Sequence, residues 1–178
     1  MAQRKSNSPR QLARKLPRIS EGLDRTDQRL LALLQADARL TTTELAERVA
    51  LTPAPAWRRL RRLQEEGYVR GYHARLDAAR LGWGVTAFVS VMLEKHTPAA
   101  GRAFEDQVRA IPQILECHNV SGRYDFLLRV VAVDLGSFGR FARETIRALP
   151  GVKEMYSSFS LSEVKREAGI PLPDAGLR

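Results

Sequence analysis

The sequence predicts an α+β chain of two domains in tandem, a small helical one followed by a sheet that carries helices. Three observations predict it. Apolar residues recur at helical spacing from Leu23 to Leu63, and helix-start signals interrupt them. From Val85 the period changes to two, the mark of half-buried strands. The charge is one-sided as well: residues 1–76 hold 16 Lys+Arg against 8 Asp+Glu, a net +8, while residues 77–178 hold 13 against 12, a net +1.

The first helix is expected over Leu23 to Asp37, with Asp24 or Thr26 as cap and Leu30, Leu31 and Leu34 as its inner stripe. Thr41 precedes Glu44 by three residues, the spacing at which side chains and backbone satisfy each other's free amides. Leu45 and Val49 give this second helix one apolar face. Leu51 is a short apolar landing, after which Thr52-Pro53 starts a third helix with a hydroxyl N-cap and proline at N1. In the third helix Ala56, Leu60 and Leu63 face inward. The same period turns Arg58, Arg61 and Arg62 to the opposite side, with Trp57 and Arg59 flanking the buried stripe. Trp57 reads as a packing residue that covers the helix edge. Two short helices about a tight turn, the second with an outward row of arginines, form a helix-turn-helix with a basic recognition helix. Gly67 falls at the left-handed position just past it. Tyr68 to Leu76 then reads as a short β-ribbon, a wing that brings Arg70, His73 and Arg75 toward phosphate.

A one-sided basic field points to a polyanion, because phosphate neutralisation supplies most non-specific affinity. Double-stranded DNA is therefore the expected partner, with Thr52, Arg58, Arg61, Arg62, Arg70 and Arg75 as its contacts. Residues 1–22 read as a disordered basic arm, with six Lys and Arg among Ser, Pro and Gln in the first twenty. No run approaches 18 apolar residues and no apolar segment follows the basic start, so no membrane partner is expected. One cysteine, Cys117, rules out an intrachain disulfide framework and fits the cytoplasm. It lies in a strand-like run as a small apolar group, with His118 on the opposite face. Phosphate-loop, nucleophile-elbow and dinucleotide signatures are missing, as is repeated metal-ligand spacing, so neither an enzyme, a metal nor a cofactor is expected.

Asp77 to Gly84 bears glycine, lacks a period and reads as the linker. Val85 to Leu93 then alternates as a strand with its odd positions buried. Phe104, Val108 and Ile111 sit at helical spacing over Ala99 to Ala110 and just beyond. Ile114 to Ser121 and Tyr124 to Val133 read as strands about a tight Gly122-Arg123 turn. Leu135, Phe138, Ala142, Ile146 and Leu149 share one helical face, which Pro150-Gly151 ends, and Val152 to Val164 reads as a long last strand. The order βαββαβ is the split ferredoxin-like unit, two helices on one face of an antiparallel sheet. Its other face carries Phe88 and Met92, and Phe126 to Val133 is apolar on both sides apart from Arg129, so burial against a second copy is expected.

These residues resemble the leucine-responsive/asparagine regulator (Lrp/AsnC) family. The resemblance is carried by LDRTDQRLLALLQADARLTTTELAERVALTPAPAWRRLRRLQEEGYVRGYHARLDAARLG, by CHNVSGRYDFLLRVVAVDLGSFGRF and by ALPGVKEMYSSFSLSEVK, in family order from about Leu23 to Lys165. It implies a winged helix-turn-helix over 23–76, a linker at 77–84, a ferredoxin-like effector-sensing and oligomerisation domain over 85–165, and a tail at 166–178. It further implies homodimers, commonly stacked into octamers, and an amino acid or related metabolite as effector. The family's effector loop matches Gly122, Arg123, Tyr124 and Asp125, with Asp125 as the partner for an ammonium. Its response-altering positions fall at Ser157, Ser158 and Ser160. Arg123 and the small serines depart from relatives and leave the effector's identity open. The function expected is an effector-responsive, sequence-specific DNA-binding regulator of transcription, cytoplasmic and nucleoid-associated. The alternative is an architectural DNA binder that needs no ligand.

Overall fold

The computed structural model describes residues 22–165 and 169–172. They divide into two compact units, the residues up to Ala74 with those from Lys165 onward, and Arg75–Val164.

In the first unit, α1 (Arg25–Ala36), α2 (Thr42–Arg48) and α3 (Pro53–Glu65) enclose one apolar cluster. Local chemistry starts two of them: Asp24 and Asp27, and again Thr41 and Glu44, form reciprocal capping boxes. Leu30, Leu31, Leu33, Leu34, Leu45, Val49 and Leu63 make the core. Between α2 and α3 the chain turns through Ala50 at φ 56, with Leu51 N–H donating to the Ala46 carbonyl at 2.9 Å and Ala50 N–H to that of Glu47 at 3.2 Å. This is a Schellman turn with alanine where glycine is usual. The same motif closes α3, where Gly67 has φ 78 and Tyr68 N–H reaches the Leu63 carbonyl at 2.9 Å.

Residues 68–76, expected as a β-ribbon, form no ladder. Nine residues with Gly71 near the centre leave arms too short for an isolated hairpin, which is marginal in water at any length. The expected linker includes a compact turn closed by Leu81 N–H to the Asp77 carbonyl at 3.2 Å. Part of the expected C-terminal tail belongs to the first unit. The Gln35 side chain accepts from Ile170 N–H at 2.6 Å and donates to its carbonyl at 3.1 Å, and Leu172 packs on the helical core.

The second unit follows βαββαβ: β1 (Val85–Leu93), α4 (Pro98–Val108), β2 (Ile114–Asn119), β3 (Phe126–Ala132), α5 (Leu135–Phe141) and β4 (Val152–Phe159). The sheet is antiparallel in the order β2-β3-β1-β4. Ala87, Val89, Val91 and Leu93 meet Phe104, Val108, Phe138, Ala142 and Ile146 in one core, which bears out the alternation of β1. Thr97 caps α4, with its side chain accepting from Ala100 N–H.

The second unit departs from its sequence pattern at three places. The last helix is not uniform: α5 passes into a π turn over Ala142–Ile146, where Arg147 N–H reaches the Ala142 carbonyl at 3.0 Å. Successive four-residue steps from Phe138 to Ala142 to Ile146 drift off one face at 3.6 residues per turn, and the wider turn absorbs the excess. Leu135, placed on that face by spacing, is 62% exposed, because the first helical residue directs its side chain back over the cap. The last strand ends at Phe159, short of the expected Val164.

Candidate DNA-binding face and effector loop

In α3, Ala56 and Leu63 are buried and Leu60 partly so, which fixes the outward side of the helix. Arg58 lies there and has no ion pair among the described residues. Arg61 is bound to Glu65 at 2.7 Å and lies over the Trp57 ring at 5.4 Å. Trp57 is 49% exposed, so it is only in part the packing residue expected. Arg62 departs further from its expected free outward position. Its guanidinium turns back to Asp27 on α1 at 2.5 Å, and that of Arg59 binds Asp24 at 2.6 Å and Asp27 at 2.8 Å.

Thr52 occupies the N-cap position, as expected, but its side chain caps nothing. An N-cap oxygen accepts from the amide of N2 or N3; N3 is Pro55, which has no N–H, so only the Ala54 amide is on offer, and the Thr52 side chain does not take it. The exposed hydroxyl is left for an external acceptor or donor. Arg70 is exposed in the irregular segment after α3; Arg75 falls in the second unit and is exposed too.

The loop between β2 and β3 is wider than the tight turn expected. The paired strands end at Asn119 and Phe126, and Gly122 in the loop has φ 128. Asp125 anchors the loop. Its backbone N–H donates to the Val91 carbonyl at 2.9 Å, and its carboxylate accepts from Leu93 N–H at 2.8 Å and lies 2.9 Å from His96 Nδ1. Desolvation pushes this carboxyl up, but the Leu93 amide and His96 outweigh it and hold it below the ordinary aspartate value. The Asp125 partner is thus His96, which sequence spacing did not single out. Arg123 lies over the Tyr124 ring at 5.4 Å and approaches Glu154 of β4 at 3.8 Å.

The three serines do not share one surface. Ser157 pairs with Val89 and Ser158 with Phe88, so they point to opposite faces of β4, and Ser160 lies beyond the strand with its N–H on the Thr86 carbonyl at 2.9 Å. Thr86 and Val91 are five positions apart on β1, about 17 Å. Within one chain Ser160 is therefore remote from the Asp125 loop. Cys117 packs at the edge of the core, where burial raises its thiol pKa, as fits a small apolar residue. No helix among the described residues is long and apolar enough to cross a membrane.

A helix-turn-helix with a basic outer helix, followed on the same chain by a βαββαβ domain, is the arrangement of a DNA-binding regulator. Residues 23–70 match the family model of the winged helix-turn-helix DNA-binding domain, and residues 86–170 match that of the Lrp/AsnC ligand binding domain. The chain is 41% identical over 150 residues to the Bkd operon transcriptional regulator of Pseudomonas aeruginosa, covering 84% of this chain and 98% of that protein. It is 36% identical over 149 residues to the leucine-responsive regulatory protein of Escherichia coli, covering 84% and 91%. A transcriptional regulator of Neisseria meningitidis, solved as a complex with L-Met, superposes with a TM-score of 0.80 at 39% identity, over 84% of this chain and 97% of that one. The chain belongs to the Lrp/AsnC family of transcriptional regulators, and its relatives are regulators rather than enzymes.

Proposed function

We propose that this regulator reads duplex DNA through α3 and responds to an amino acid held at the Gly122–Asp125 loop. The observation that carries the first part is the outward face of α3, where Arg58 is unpaired among the described residues and the Thr52 hydroxyl caps nothing. Arg58 supplies the bidentate contact to guanine, and Thr52, Arg61, Arg70 and Arg75 contact the phosphate backbone. Residues 1–22 add affinity without specificity, and residues 1–21 lie outside those described.

For the second part, the loop holds one cation and one anion, the complement of a zwitterion. The effector's ammonium takes the place of His96 at Asp125, and its carboxylate draws Arg123 from Glu154. Both existing contacts are cheap to surrender, because exposed ion pairs contribute little. The relative bound to L-Met supports an amino acid as the ligand class. Phe88 and Tyr156 on the open sheet face support a homodimer within a larger octameric assembly, with Ser158, on that same face, and Ser160, just beyond the strand, as the serines a neighbouring copy can meet. Such a protein works on the nucleoid, in the cytoplasm.

Isothermal titration with L-Met and a panel of other amino acids, paired with sedimentation velocity, tests this reading. Binding that changes the assembly state, and is lost in Asp125→Ala while the dimer and its DNA affinity persist, is the expected result. Binding unaffected by Asp125→Ala would remove the loop from the site. The absence of binding by any amino acid would favour the ligand-independent architectural reading, for which the net +8 of residues 1–76 speaks.

A further inference from the structure

Asp27 is the buried acid of the helical unit, its side chain 2% exposed. Three donors converge on its two oxygens: Asp24 N–H at 3.3 Å, Arg59 Nη1 at 2.8 Å and Arg62 Nη2 at 2.5 Å. Both arginines come from the recognition helix, more than thirty residues along the chain, and Asp24 holds Arg59 a second time at 2.6 Å. A buried carboxylate is tolerated only when its partners are held in place, so the orientation of α3 and the state of these arginines are set together.

We infer that Asp27 is a positioning residue that determines which arginines of the recognition helix reach DNA. It withdraws Arg59 and Arg62 from the phosphate field and leaves Arg58 to read bases. Two aspartates offset two arginines at the face that meets the polyanion. Sequence-independent attraction there is reduced, and a larger share of the affinity depends on base contacts. The clamp therefore sets specificity by restraining charge. The inference rests on α3 being the reading helix.

The test uses the full-length protein with two duplexes of equal length, a site selected from random DNA and its scrambled sequence. Asp27→Asn preserves shape and one acceptor but removes the charge that the two arginines share, leaving Arg59 to Asp24 and Arg62 only its 3.7 Å contact with Glu66. Binding to the scrambled duplex should tighten several-fold, the slope of log K against log salt should steepen by about 1 for each arginine released, and the ratio of selected to scrambled affinity should fall. Arg62→Gln should leave the salt slope of the parent protein unchanged, and adding it to Asp27→Asn should return the slope toward the parent value. A purely structural Asp27 predicts instead that both affinities fall together with no steeper slope, which would overturn the proposal. A slope reduced by about 0.9 in Arg62→Gln alone would also overturn it, since Arg62 would then already neutralise a phosphate. If Asp27→Asn fails to fold, the Arg62→Gln slope still decides. Arg58→Ala separates the two premises: selected-site affinity unchanged there would refute α3 as the reading helix rather than the clamp.

Discussion

Replacing Leu63 by alanine should uncouple DNA binding from the integrity of the sensing domain. Leu63 is fully buried at the centre of the helical core, and its carbonyl receives the Tyr68 amide that ends α3. Truncation removes three carbons from a close-packed site and costs about 3–5 kcal/mol, transfer and residual cavity together. A domain of about fifty residues has roughly 3–8 kcal/mol to lose, at about 0.05–0.15 kcal/mol per residue. Roughly two fifths or more of its stability disappears, whereas the core around Val89, Phe104 and Ile146 is a separate cluster that the change does not touch. Scanning calorimetry should show the transition of the helical unit lowered by more than ten degrees or lost, with that of the sheet unit in place. DNA affinity by fluorescence anisotropy should fall in parallel. A variant with unchanged DNA affinity and unchanged transitions would refute the view that Leu63 organises the reading helix.

Ala50→Gly should raise the melting temperature of the helical unit. An L-residue at φ 56 costs about 1–2 kcal/mol, more than the roughly 0.5–1 kcal/mol that glycine adds in backbone entropy; a lower melting temperature would argue against that turn geometry. Asp125→Asn should destabilise the sheet unit in a pH-dependent way. The folded carboxyl titrates below its ordinary value of 3.8, so its contribution is present above that value and is lost as pH falls through the lower folded one. The difference in melting temperature between parent and variant should therefore be smaller in acid, below the ordinary aspartate value, than near neutrality, and a difference independent of pH would contradict the anchoring role.

What the sequence made legible was local or periodic. The capping residues Asp24 and Thr41 announce themselves through partners three residues away, Gly67 through the left-handed turn that it closes, and β1 through its strict alternation. What it concealed depends on distant partners. Helical period gives the direction in which Arg62 leaves the helix, but not that Asp27, 35 residues earlier, draws it back. His96 meets Asp125 across 29 residues, and Gln35 meets Ile170 across 135. The serines of β4 shared a motif but not a face, since the period of two separates Ser157 from Ser158. Residues 68–76 read as a β-ribbon from their place just past the recognition helix, but the ladder it would need does not form within those residues.

Whether α3 reads DNA through Arg58 is measured by the affinity of Arg58→Ala for a selected duplex and for its scrambled counterpart at one salt concentration. A bidentate arginine–guanine contact is worth about 1–3 kcal/mol of discrimination, so the ratio of the two affinities should fall by roughly 5- to 150-fold while folding is preserved. An unchanged ratio, with the variant folded and still bound to both duplexes, would mean that Arg58 does not read bases.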